Sequence, residues 1–162
     1  MTTLATTGVR RTVAGHLATA RRYAARPHDW PLAPRFDPHQ RWYHRLATER
    51  DAEVWLLTWL PGQGTDLHDH GGSSGAFLVV TGELTEHTIT HPGGQLQLVA
   101  TTLPAGQGRS FGPRHIHQIT NTSRKPAVSL HVYGPALTEM TRYHLADGKL
   151  AVSAVDRAGS DW

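Results

Sequence analysis

Residues 61–84, PGQGTDLHDHGGSSGAFLVVTGEL, decide how this chain folds. A Pro-Gly step opens the stretch and His68-Asp69-His70 follows. Gly71-Gly72 then breaks the backbone, and an apolar run from Gly75 to Thr81 closes at Gly82. Short extended segments punctuated by Gly and Pro are the pattern of an all-β protein. In an extended segment, residues two apart share a face. His68 and His70 therefore aim both imidazoles at one point, and Asp69 faces away. Imidazole nitrogen is a common ligand for iron, zinc, copper and nickel, so the pair is a candidate metal site.

The same pattern continues outward. Strands are expected near 42–47, 53–60, 75–81, 83–90, 95–102, 115–121, 127–133 and 138–145, separated by breaks such as Pro92-Gly93-Gly94 and Gly112-Pro113. That spacing implies a β-sandwich or barrel. Upstream, Val9, Val13 and Leu17 recur at helical intervals, which predicts one helix over Val9–Arg26 ended by Pro27. Residues 27–41 carry four prolines and read as an irregular connection. The division expected is 1–34 for the helix and connection, 35–148 for the barrel and 149–162 for a small, polar tail, all within a single domain.

Composition narrows the chemistry. The 162 residues include no cysteine, so disulfides, thiolate-bound zinc and cysteine nucleophiles are excluded. No apolar stretch is long enough to span a membrane, and a cytoplasmic location is expected. Twelve histidines leave ample ligands. Nine arginines and three acids fall in residues 1–50, a basic front half. Their spacing suits the solvated face of a helix better than a nucleic-acid contact, so no nucleic-acid partner is expected.

The arrangement Gly62, His68, His70 and Gly82 resembles the first motif of the cupin superfamily. That motif carries a glutamate ligand where this chain has Gly75. The second motif, a histidine with an asparagine four residues later, falls on His117 and Asn121. His115 competes on the same strand face but has no asparagine in register. The motif's preceding glycine falls on Arg114.

The flanking segments WYHRLATERDAEVWLLTW (42–59) and AVSLHVYGP (127–135) extend the likeness. Together, over about residues 35–140, the chain resembles the cysteine dioxygenase family, the thiol dioxygenases among the cupins, and its bacterial members in particular. The resemblance implies a cupin barrel, a double-stranded β-helix of jelly-roll type. It also implies Fe(II) on His68, His70 and His117, and a Ser129–His131–Tyr133 row that poises the tyrosine. Arg45 and Tyr43 are implied as the substrate pair, with Leu57 and Trp59 lining the pocket. The family often has a cis peptide at the step that falls on Gly134-Pro135.

Arg45 offers a planar fork suited to a carboxylate. Its alternative is a salt bridge, with Glu49, Asp51 and Glu53 close in sequence. The other pocket residues have plain barrel core as their alternative. Mammalian members carry at position 75 a cysteine that becomes crosslinked to the tyrosine. Here the thioether cannot form, Tyr133 is expected to act as a free phenol, and the small residue is expected to leave space beside the metal. The activity implied is oxidation of L-cysteine by dioxygen to the sulfinate, by a monomer or weak homodimer. The rivals are a 3-mercaptopropionate dioxygenase, whose members typically have glutamine at the Arg45 position, and a non-catalytic ligand-sensing cupin.

Overall fold

The computed structural model describes residues 5–160, with side chains from residue 15 onward. Helix α1 (Ala5–Ala24) is followed by a single 3₁₀ turn at Pro27–Asp29. The expected stripe positions Val9 and Val13 lie outside the described side chains, but Leu17 and Ala20 do pack inward. The strands are β1 (Tyr43–Glu49), β2 (Ala52–Trp59), β3 (Leu67–His68), β4 (Ser74–Thr81), β5 (Glu83–Thr90) and β6 (Gln97–Pro104), then β7 (Gly108–Phe111), β8 (His117–Thr120), β9 (Ala127–Gly134), β10 (Glu139–Ala146) and β11 (Lys149–Arg157). They form a five-stranded sheet ordered β1-β2-β9-β4-β7 and a six-stranded sheet ordered β11-β10-β3-β8-β5-β6.

The two sheets face each other as a jelly-roll barrel. Leu57, Phe77 and Val79 of the first sheet share one core with Leu84, Leu103 and Ile119 of the second. The first sheet also has an apolar outer face. Val54, Leu56, Leu78, Val128, Leu130 and Val132 point outward and are covered by Leu17, Ala20, Tyr23 and Ala24 of α1. A sheet buried on both faces needs apolar residues on both. That is why EVWLLTWL and GAFLVV read as continuous runs and not as alternations.

Strand β9 positions the chemistry. Its even residues Val128, Leu130 and Val132 meet the helix, so by alternation Ser129, His131 and Tyr133 enter the barrel. The front arginines help to seat the helix. Arg21 donates to the Gly106 carbonyl, and Arg22 pairs with Glu49.

Three strands were not expected. β3 and β7 are two and four residues long, too short for a pattern to register. β11 places residues 149–157, expected as part of a small, polar tail, in the second sheet. Asp147 and Gly148 both have positive φ, 51° and 70°, and Ala146 pairs with Lys149. That is a two-residue hairpin of the type that Asp-Gly favours. It returns the chain along β10.

Candidate metal centre and pocket

Register brings the three histidines together. His68 on β3 lies directly opposite His117 on β8. His70 follows two residues beyond His68, after the strand has ended. Asp69 turns the other way, as expected, and its carboxylate accepts from Tyr143 Oη at 2.6 Å and from the Thr141 and Gly71 amides. One nitrogen from each of His68, His70 and His117 lies within 4.8 Å of the others, and all three residues are buried. His115 lies outside this trio.

The remaining ring nitrogens define the tautomers. His68 Nδ1 faces the Asp66 carbonyl at 2.9 Å and must donate to it. His117 Nδ1 donates to Glu86 Oε1 at 2.8 Å. Both rings therefore present a bare Nε2 to the shared point. Neither nitrogen of His70 has any hydrogen-bond partner, although both are buried. An unsatisfied buried polar atom costs about 1–3 kcal/mol. Burial drives the His68 pKa down to about 3, with the neighbouring His117 adding to the effect. Burial likewise holds His70 well below the usual histidine range and lowers His117. Three neutral imidazoles with converging lone pairs and no protein donor between them fit a divalent transition metal.

Glu86 was missed in the sequence. Its carboxylate is fully buried and meets Arg109 Nε at 2.9 Å, His115 Nε2 at 3.1 Å and His117 Nδ1 at 2.8 Å. Burial alone would raise its pKa, but the hydrogen bonds from His115 and His117 and the charges of His117 and Arg109 outweigh this and bring it to about 2. Because these contacts already occupy it, Glu86 supports His117 from behind and is not part of a second metal site. The signal was its position. Glu86 shares a strand face with Leu84, which is 1% exposed, so an acid was pointing into the barrel.

The expected row is present and its direction can be read. Trp59 Nε1 donates to Ser129 Oγ at 2.9 Å, Ser129 Oγ lies 2.9 Å from His131 Nε2, and His131 Nδ1 lies 3.2 Å from Tyr133 Oη. An indole N–H only donates. With Trp59 donating to its oxygen, Ser129 satisfies the row by giving its own proton to His131 Nε2. His131 then carries its proton on Nδ1 and donates to Tyr133, which leaves the phenol proton free to point into the cavity. Burial pushes the His131 pKa well below its usual value and the Tyr133 pKa well above. Both groups stay neutral.

A cavity of about 300 Å³ adjoins His68, His131 and Tyr133. Tyr43, Leu57 and Trp59 line it, as expected. Arg45 does not. Its side chain is 52% exposed, and its guanidinium pairs at 2.8 Å with Glu53, a buried carboxylate that requires a cation. The salt-bridge alternative therefore describes Arg45, and the arginines in the cavity wall are Arg41 and Arg142.

Position 75 needs a second correction. Gly75 lies opposite both Tyr133 and Phe111 in the sheet. A Cβ built there would collide with the Val132 carbonyl oxygen and come within 2.7 Å of Phe111 Cζ. The expected space is filled by Phe111, which stacks on His70 at 4.6 Å between centroids. Gly75→Ala is thus expected to destabilise the fold by about 1–3 kcal/mol, the usual cost of overpacking, as read from denaturant unfolding. An unchanged midpoint would show that Phe111 can yield.

Comparison with known proteins accords with this geometry. The model of the family described as cysteine dioxygenase type I matches residues 11–146. Cysteine dioxygenase type 1 of Danio rerio is 29% identical over 126 residues, which cover 70% of this chain and 60% of that protein. The Rattus norvegicus protein of the same name is 28% identical over 123 residues, with the same shares. The matched region thus spans about 60% of the length of these curated relatives. Among solved structures, a Klebsiella pneumoniae protein with a double-stranded β-helix domain superposes with a TM-score of 0.54 at 19% identity, covering 74% of this chain and 90% of that one. The likeness is one of fold.

Proposed function

This chain belongs to the cysteine dioxygenase type I family, and from that premise we propose that it is an Fe(II)-dependent thiol dioxygenase acting on L-cysteine. The observation that carries the reading is the meeting of three neutral imidazole nitrogens beside a cavity into which Tyr133 directs a phenol proton.

His68, His70 and His117 would hold the iron, and the softness of thiolate suits that metal. When bound, Fe(II) supplies the electronic route by which dioxygen reacts with a thiolate sulfur. Both oxygen atoms end on sulfur, which gives up all the electrons that dioxygen takes, so no separate reductant is needed. Tyr133 stays a phenol across the working pH range and can hold a hydrogen bond to a substrate atom. His131, Ser129 and Trp59 fix its orientation. Trp59 gives the cavity an aromatic wall, and Phe111 backs His70 outside it.

L-cysteine is proposed on the strength of the relatives' activity. An arginine at position 45 does not itself select L-cysteine over 3-mercaptopropionate here, because Arg45 faces Glu53.

The test is oxygen uptake by the iron-loaded protein with L-cysteine, 3-mercaptopropionate and cysteamine. Stoichiometric sulfinate formation is expected, fastest with L-cysteine. Tyr133→Phe is expected to lower kcat by about 10²–10⁴-fold, the range for a positioned proton-holding group, with iron content unchanged. A protein that consumes no oxygen with any thiol would be the non-catalytic cupin.

A further inference from the structure

Two sheets have four edges, and three of them are guarded. β1 bears Arg45 and Glu49, and its register with β2 slips between Arg45 and Ala47. β7 is four residues long. β11 carries Lys149, Asp156 and Arg157, and its register with β10 shifts between Arg142 and Tyr143. Charge, shortness and irregular pairing are the means by which a sheet edge avoids joining another chain.

β6 has none of them. Its eight residues, QLVATTLP, include no charged side chain. It pairs with β5 from Gln97 opposite Thr90 to Pro104 opposite Glu83 without a slip. Every residue but Leu103 is exposed, and Leu98 and Val99 are among the large apolar side chains left to solvent. An edge strand turns a row of backbone N–H and C=O groups away from its neighbour. Among the described residues, nothing beyond β5 bonds to that row over residues 97–103. No residue of β6 lines the cavity, so this edge is separate from the metal centre.

We propose that β6 is an interface and that its occupant is β6 of a second copy of this chain, running antiparallel about a two-fold axis. In that arrangement one strand is its own complement. A two-fold perpendicular to the sheet keeps the outer faces of both copies on one side, so directly opposed residues share a face. Pro104 has no N–H to donate. The symmetric span that leaves it out is 97–103, centred on Ala100. Ala100 then faces Ala100, Val99 faces Thr101 and Leu98 faces Thr102. Such cross-strand pairs are the unit of sheet stabilisation, and Val and Thr suit them. Without charge on the strand, identical copies meet with no repulsion. The six-stranded sheets of two copies join edge to edge. Seven residues a side make a small contact, so the dimer is weak and depends on concentration.

Sedimentation equilibrium of the wild type is expected to show the mass rising toward twice that of the chain between about 10 µM and about 1 mM, the range of a weak complex. Ala100→Lys sets two ammonium groups face to face and should weaken the dimer by about 100-fold or more. Val152→Lys, on the guarded β11 edge, should leave it unchanged. The chain has no cysteine, so a single introduced one reports pairing cleanly. Residues directly opposed across antiparallel strands have Cα atoms about 4.5–5.5 Å apart, which a disulfide can bridge. Ala100→Cys should therefore crosslink to a dimer on mild oxidation, and Val152→Cys should not. A wild type that stays monomeric at about 1 mM would overturn the inference. So would a dimer that survives Ala100→Lys, or one that Val152→Cys crosslinks and Ala100→Cys does not.

Discussion

Alanine at His68, His70 or His117 is expected to abolish retention of the proposed iron, while His115→Ala keeps it. The three rings each bring one nitrogen to the shared point, and among the described residues this group holds no carboxylate to replace one. Two neutral nitrogens do not make a stable site for a divalent ion in a buried pocket. The His115 side chain bonds to Glu86, stacks on Phe111 and meets the His117 ring edge-on at 4.8 Å, but its nitrogens are not among the three that converge.

Glu86 should give an intermediate result. The cupin glutamate is absent at Gly75, and Glu86 brings a carboxylate to the same metal from one ring further out, through His117. Glu86→Gln keeps the shape and removes the charge. It is expected to weaken metal binding by about 10- to 100-fold, as loss of a partner behind a ligating histidine does. Metal content after dialysis and competitive chelator titration measure both effects. Circular dichroism should show all variants folded. If His115→Ala strips the metal while His117→Ala retains it, the third ligand is wrong.

The metal-free protein is expected to lose stability steeply as pH falls below 6.5. Burial is the first cause of the lowered pKa at His68, His70, His117 and His131. In the unfolded chain each titrates near 6.5. Below that value the unfolded state binds protons that the folded state refuses, so stability falls with pH. For His68 the loss continues until its folded pKa of about 3 is reached. Each group contributes about 1.4 kcal/mol per pH unit once pH is well under 6.5. His68, His70 and His131, held well below 6.5, together approach ~4 kcal/mol per unit, against a typical total of about 5–15 kcal/mol.

Thermal melting of metal-free protein from pH 7 to pH 5 should therefore show a fall of tens of degrees or outright unfolding. His70→Leu removes an orphaned polar ring from the core and should flatten the slope by about one proton. A melting temperature that stays level from pH 6.5 to 5 would mean these histidines are protonated in the folded state.

The fold and the cluster of three histidines were legible because both depend on local spacing. His68 and His70 share a face by strand geometry, and His117 is fixed by Asn121 in register. Asn121 is fully buried and ties the end of β8 to the Trp59 and Lys125 carbonyls. The Ser129–His131–Tyr133 row was legible for the same reason.

What sequence could not supply was depth. Arg41 and Arg45 both precede acids and aromatics, and nothing local says which fork faces inward. That is decided by the buried Glu53 carboxylate, which engages Arg45, and by the course of the proline-rich connection, which delivers Arg41 to the cavity. Gly75 was misread because the residue that fills its space, Phe111, is 36 positions away. The Asp147-Gly148 hairpin was readable and overlooked.

No described side chain of helix α1 lines the cavity, yet the sheet that carries β9 is apolar on the face it covers. A catalytic core trimmed to the barrel alone would carry Leu56, Leu78, Leu130 and Val132 as an adhesive surface directly behind Ser129, His131 and Tyr133. Any partner that glued itself there would press on the strand that orients the phenol. The helix is thus a permanent occupant of a docking face, and changes along its length would be felt as solubility and precision at a site it never touches.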